Sequence, residues 1–128
     1  MQLSHLIKQY YKFGLWVFII AYLCLAPADE FKKVHITIPY FDKMVHFGMF
    51  FILGLFIGAK KEYQLAATIY SWQIYFAAIY GGLIELAQSY LTTTRKGDWI
   101  DWLADLIGLA LGIWMVKILP TRVIRLLA

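Results

Sequence analysis

Nine polar side chains in an otherwise apolar chain could do chemistry, and they fall in three short stretches. Asp42, Lys43 and His46 form the first; Glu85 and Gln88 the second; Arg95, Asp98, Asp101 and Asp105 the third. An imidazole exchanges protons near neutral pH, and a carboxylate beside it is the natural base. An arginine fork suits phosphate or carboxylate. One histidine among several carboxylates also suits a hard or borderline divalent cation, with His46, Glu85, Asp101 and Asp105 as candidate ligands. No compact ligand motif such as His-Glu-x-x-His occurs, so spacing alone assigns no metal and no cofactor. The one cysteine, Cys24, excludes an internal disulfide framework and a cysteine-rich zinc site.

Spacing gathers these groups onto helix faces. Asp98, Asp101, Asp105, Gly108 and Gly112 are separated by 3, 4, 3 and 4 residues, which is one helical stripe. Gly81, Glu85 and Gln88 are separated by 4 and 3, again one stripe, and Asp42 and His46 are four apart. Gly54/Gly58 and Gly108/Gly112 are small-xxx-small pairs that permit close backbone approach, and are read as packing. Glu85 and Asp105 lie one to two turns inside their helices. At a membrane centre an ionisable group costs about 2.5–3.5 kcal/mol, so both need a reason to be there. Beside mere solvation at the interface, two reasons fit the residues. One is a ligand or catalytic site. The other is a salt-bridge network that clamps the helices, with Lys43 or Arg95 on the carboxylates and His46 bridging. Asp42, Glu85, Asp98, Asp101 and Asp105 give five acids against the three bases Lys43, Arg95 and Lys96, a deficit of two positive charges with His46 neutral. Protons, a divalent metal or a ligand ammonium must make up the difference.

The elements that position these residues are set by composition. Of 128 residues 62% are hydrophobic and 16% charged, against about 45–50% and 25% in a soluble domain. Mean hydropathy is +0.65. So few charges cover a small soluble globule poorly, and disorder needs the opposite composition. Four apolar segments, at about residues 13–28, 44–59, 65–91 and 99–119, are continuous rather than alternating, which excludes a barrel. Each approaches the roughly 20 residues that cross a bilayer. The expectation is an all-α, integral membrane, up-and-down four-helix bundle forming a single domain over 1–128. A signal peptide ending at Ala26-Pro27-Ala28 is the alternative for the first segment; the proline inside that site and the membrane-like remainder argue against it. The stretch from Asp29 to Phe41 is expected to rest on lipid through Val34, Ile36, Ile38 and Phe41.

Basic flanks set orientation. Lys8, Lys12, Lys60, Lys61, Lys117, Arg122 and Arg125, seven residues, share one side; Lys32, Lys33, Lys43, Arg95 and Lys96, five, share the other. Both termini are therefore expected in the cytoplasm, with the polar residues at the outer face of the membrane. The net charge of +4 belongs to these flanks and does not imply nucleic acid. Proton transport is disfavoured. Away from that face only Thr68, Ser71 and Gln73 are polar, so no relay crosses one chain; a homo-oligomer would be needed.

The same residues resemble the VanZ-like family of small bacterial membrane proteins. The matching pieces are Lys43-x-x-His46-Phe47, Glu85-x-x-Gln88, and Arg95 followed by Asp101-x-x-Ala104-Asp105-x-x-Gly108. The family pattern has Asn where this chain has Asp105, which adds one potential charge. The resemblance spans about residues 40–112. It implies a four-helix envelope protein and an effect on susceptibility to the glycopeptide teicoplanin. With the polar end it gives the expected function: a cup at the outer face that binds a lipid headgroup or a lipid-linked cell-wall precursor. The alternative is a structural membrane protein whose polar cluster clamps helices without ligand or catalysis.

Overall fold

A computed structural model describes residues 2–27, 39–64 and 67–128. It is all-helical, 86% helix, with no strand among the described residues. The elements are α1 (Gln2–Leu25), α2 (Phe41–Gln64), α3 (Ala67–Leu91), α4 (Trp99–Met115) and α5 (Thr121–Leu127), with a 3₁₀ turn, Val116–Ile118, continuing α4.

The helices outrun their apolar blocks wherever nothing breaks them. α1 starts at Gln2 rather than near Phe13, because no proline or glycine interrupts the polar lead-in. It ends at Leu25, two residues before Pro27, whose ring disfavours helical backbone at the preceding position. α2 runs past Lys60 and Lys61 to Gln64, since lysine and glutamate are good helix formers. α4 begins at an N-cap, Asp98, whose Oδ1 accepts from the Ile100 N–H at 2.9 Å. Pro120 closes the 3₁₀ turn and opens α5, a fifth helix where the sequence reads only as a basic tail. Its seven residues are too few to cross a bilayer. Val34, Ile36, Ile38, Lys32 and Lys33 lie outside the described residues.

α2 is the hub, packing on α1, α3, α4 and α5. Its contact with α4 is the most extensive among the described residues. A Cβ on Gly54 would strike the Leu109 carbonyl oxygen, one on Gly108 the Phe47 carbonyl, and one on Gly112 the Phe51 carbonyl. The glycine pairs are therefore the surface on which the two backbones meet. Ile20, Phe50, Leu53, Ile57, Ala77 and Leu109 fill the apolar core. Indole and phenol donors pin helices to neighbouring backbones: Trp16 Nε1 to Met49 O at 2.8 Å, Tyr80 Oη to Val17 O at 2.6 Å, and Trp102 Nε1 to Ala78 O at 2.8 Å.

The outside is apolar. Leu103, Ile107, Leu111, Trp114 and Ile118 form an exposed stripe on α4 and its 3₁₀ extension. On the opposite side of α4 the buried residues are Asp101, Asp105, Gly108, Leu109 and Gly112. Soluble monomers rarely expose such a patch, and here the polar groups are the ones turned inward. Phe41–Lys60 and Trp99–Ile118 are long and apolar enough to cross a membrane. Well under half of each of these stretches is buried, too little for the core helices of a soluble protein.

Candidate functional site

Three helices bring one titratable side chain each to a common buried point. His46 sits in the second turn of α2, Glu85 in the last third of α3, and Asp105 in the second turn of α4. Their exposures are 1%, 2% and 0%. His46 Nδ1 donates to Asp105 Oδ1 at 3.0 Å and stands 3.5 Å from Glu85 Oε1. While Asp105 is ionised it only accepts, which places the ring proton on Nδ1. Glu85 Oε2 accepts the Asp98 backbone N–H at 2.7 Å, which joins the end of α3 to the start of α4. The remaining oxygens, Glu85 Oε1 and Asp105 Oδ2, are buried without a hydrogen-bond partner.

Glycines let this point close. A Cβ on Gly81 would lie 2.9 Å from Asp105 Oδ2 and 3.0 Å from Trp102 Cδ1, so the bare Cα leaves room for the carboxylate. A Cβ on Gly97 would strike the Glu85 carbonyl oxygen. Only glycine lets the loop come near enough for Asp98 to reach Glu85. Ser89 accepts the Gly97 N–H at 3.0 Å, and Thr92 donates to Gln88 O at 2.6 Å. Ser89 and Thr92 were not singled out from sequence, yet Glu85, Ser89 and Thr92 are spaced 4 and 3 and so share one helix face.

An ionic layer covers the buried trio. Lys43 Nζ bridges Asp98 Oδ2 and Asp101 Oδ1, each at 3.0 Å, tying α2 to the start of α4. The Ile100 N–H and the Lys43 ammonium hold the Asp98 carboxyl below the usual aspartate range. Asp42 is exposed, with an oxygen within 4.8 Å of ligand atoms on His46 and Asp101.

Two sequence candidates turn elsewhere. Gln88 is buried, but its amide donates to Cys24 O at 3.0 Å. Arg95 Nε donates to Ala26 O at 3.0 Å. Both satisfy carbonyls at the end of α1, where a helix has no donors of its own. Seven of the nine candidates therefore gather around His46 and Lys43, while Gln88 and Arg95 fasten the first helix beside them. Cys24 is buried and free, a packing residue. A separate groove of about 220 Å³ on the outer side of α3, lined by Trp72, Tyr75, Phe76 and Leu83 among others, is apolar and offers nothing to this chemistry.

Helices with apolar side chains outside and ionisable ones inside define a helical membrane protein with a buried polar cluster. More narrowly, the chain belongs to the VanZ/LLP1 family, whose profile matches residues 1–120. No curated protein and no solved structure matches it.

Proposed function

We propose that this VanZ-family membrane protein is a four-helix bundle of the bacterial cytoplasmic membrane, with α1 to α4 as its spans and both termini inside. Its polar end is a cup at the outer face. The cup takes the headgroup of a membrane lipid or of a lipid-linked cell-wall precursor. Both ligands present a phosphate-bearing group on a lipid anchor at the same interface. Through such a precursor the protein alters susceptibility to teicoplanin.

The observation that carries the reading is the convergence of His46, Glu85 and Asp105 from three helices into one buried point with two unpartnered carboxylate oxygens. A fully satisfied clamp would leave no such atoms, because a buried acceptor without a partner costs about 1–3 kcal/mol. A site that meets a ligand donor, such as the ammonium or hydroxyl groups that such headgroups carry beside the phosphate, leaves them.

Glu85→Gln tests it. The amide oxygen still accepts the Asp98 N–H, so this variant keeps the α3–α4 tie. We expect Glu85→Gln and His46→Ala to lose co-purified lipid-linked ligand in native mass spectrometry. Both should also abolish any shift in teicoplanin susceptibility of an expressing host, while Glu85→Gln melts close to wild type. Retained ligand and unchanged susceptibility in both variants would sink the reading.

A further inference from the structure

We propose that His46, Glu85 and Asp105 form a binding site for one divalent first-row cation, of the zinc or manganese class. The argument starts from the donor atoms. Three side chains from three helices offer one nitrogen and two carboxylate oxygens, all within 4.8 Å of one another. Neighbouring ligands on a single cation with bonds of about 2.0–2.2 Å lie about 3–3.5 Å apart. The His46 Nδ1 separations of 3.0 Å to Asp105 and 3.5 Å to Glu85 are of that size. One imidazole with two carboxylates is a donor set for a borderline cation.

The second observation is independent of that spacing. Glu85 Oε1 and Asp105 Oδ2 belong to side chains at least nine-tenths buried and have no hydrogen-bond partner, although the other oxygen of each is engaged. A hydrogen-bonded clamp places donors on such atoms. Here Lys43 is engaged by Asp98 and Asp101, and the Asp98 N–H by Glu85 Oε2. With both carboxylates ionised, the trio keeps a net negative charge even when the ring is protonated. A divalent cation that displaces the Nδ1 proton and spans both oxygens of Asp105 would supply the missing charge and the partners that Glu85 Oε1 and Asp105 Oδ2 lack.

The trio is preferred over the neighbouring set of Asp42, His46 and Asp101. Asp42 is exposed, and Asp101 is already paired with the Lys43 ammonium at 3.0 Å, which it shares with Asp98.

The experiment uses the full chain in detergent, stripped with a chelator and then dialysed against Zn²⁺ or Mn²⁺ alone. Elemental analysis is expected to find one cation per chain, with zinc held more tightly than manganese. Binding should release protons to a weakly buffered solution, because the ligands must be deprotonated. Asp105→Asn preserves shape and an acceptor for the Nδ1 proton, and should weaken binding by more than about tenfold, as should Glu85→Gln. Asp42→Asn should bind as wild type does. Saturating cation should raise the melting temperature of the wild type and leave that of Asp105→Asn where it was. If wild type takes up no more metal than the Asp105→Asn/Glu85→Gln double variant, the proposal is overturned. The same holds if Asp42→Asn is the variant that loses it. The inference goes beyond the headgroup reading: a chain that retains lipid-linked ligand but binds no cation removes the metal and leaves the cup.

Discussion

Asp98 makes three contacts from one position. Its backbone N–H donates to Glu85, its Oδ1 caps α4 at Ile100, and its Oδ2 meets Lys43. The last two hold its carboxyl below the ordinary aspartate range. A group whose folded value is depressed contributes stability above its unfolded value and loses it as pH falls through the folded one. The melting-temperature gap between wild type and Asp98→Asn should therefore be present at pH 7 and shrink as the solution passes below about pH 4. Asp98→Asn keeps an oxygen for the Ile100 N–H, whereas Asp98→Ala loses the cap as well and should melt lower than Asp98→Asn at pH 7. Scanning fluorimetry across that range checks both, and a gap that does not change with pH counts against the assignment. At this scale the cluster was legible because charge is scarce in a membrane segment, so His46, Glu85 and Asp105 stood out by type and register. The direction of Gln88 and Arg95 was not legible. Their partners, Cys24 O and Ala26 O, lie 64 and 69 residues away, and depend on where α1 stops.

At the scale of elements, α2 and α4 meet backbone to backbone. The carbonyls of Phe47, Phe51 and Leu109 occupy the space where side chains on Gly108, Gly112 and Gly54 would stand. A carbonyl in a helix cannot rotate away as a side-chain tip can, so the helices must separate. Gly112→Ala and Gly108→Ala should each destabilise by about 1–3 kcal/mol. Gly14 and Gly48 have nothing within 4 Å of an added Cβ. Gly14→Ala and Gly48→Ala should instead stabilise by about 0.5–1 kcal/mol through the helix preference for alanine. Denaturant titration in mixed micelles separates the two classes, and destabilisation by Gly14→Ala would undo the contrast. The Gly-xxx-Gly spacing and the polar stripe on α4 were both readable because each is a strict helical period. The length of α1 and the presence of α5 were not, since hydropathy marks the lipid-facing part of a helix and is silent on polar turns that continue it.

Across the whole molecule the two ends differ in kind. Lys12 Nζ donates to Leu126 O at 2.6 Å, so the amino-terminal helix and α5 share one end. Lys60 lies 5.9 Å from the Tyr10 ring at the same end. The other end holds Lys43, Asp98 and the buried trio. Sequence counts gave only seven basic residues against five, whereas the Lys12–Leu126 contact makes the two termini a single basic end whose side of the membrane is decided together. Basic residues near short loops stay in the cytoplasm, so the cluster end should face outward. Two uncharged, exposed positions test this without altering the charge that sets it: Thr93 beside the cluster and Thr121 at the start of α5. In a Cys24→Ala background, a membrane-impermeant maleimide added to intact cells should label Thr93→Cys. It should label Thr121→Cys only after the membrane is opened. The reverse pattern would turn the cup to the cytoplasm and exclude an extracytoplasmic precursor as its ligand. Labelling of both positions in intact cells would show that the two ends do not lie on opposite sides of a membrane at all.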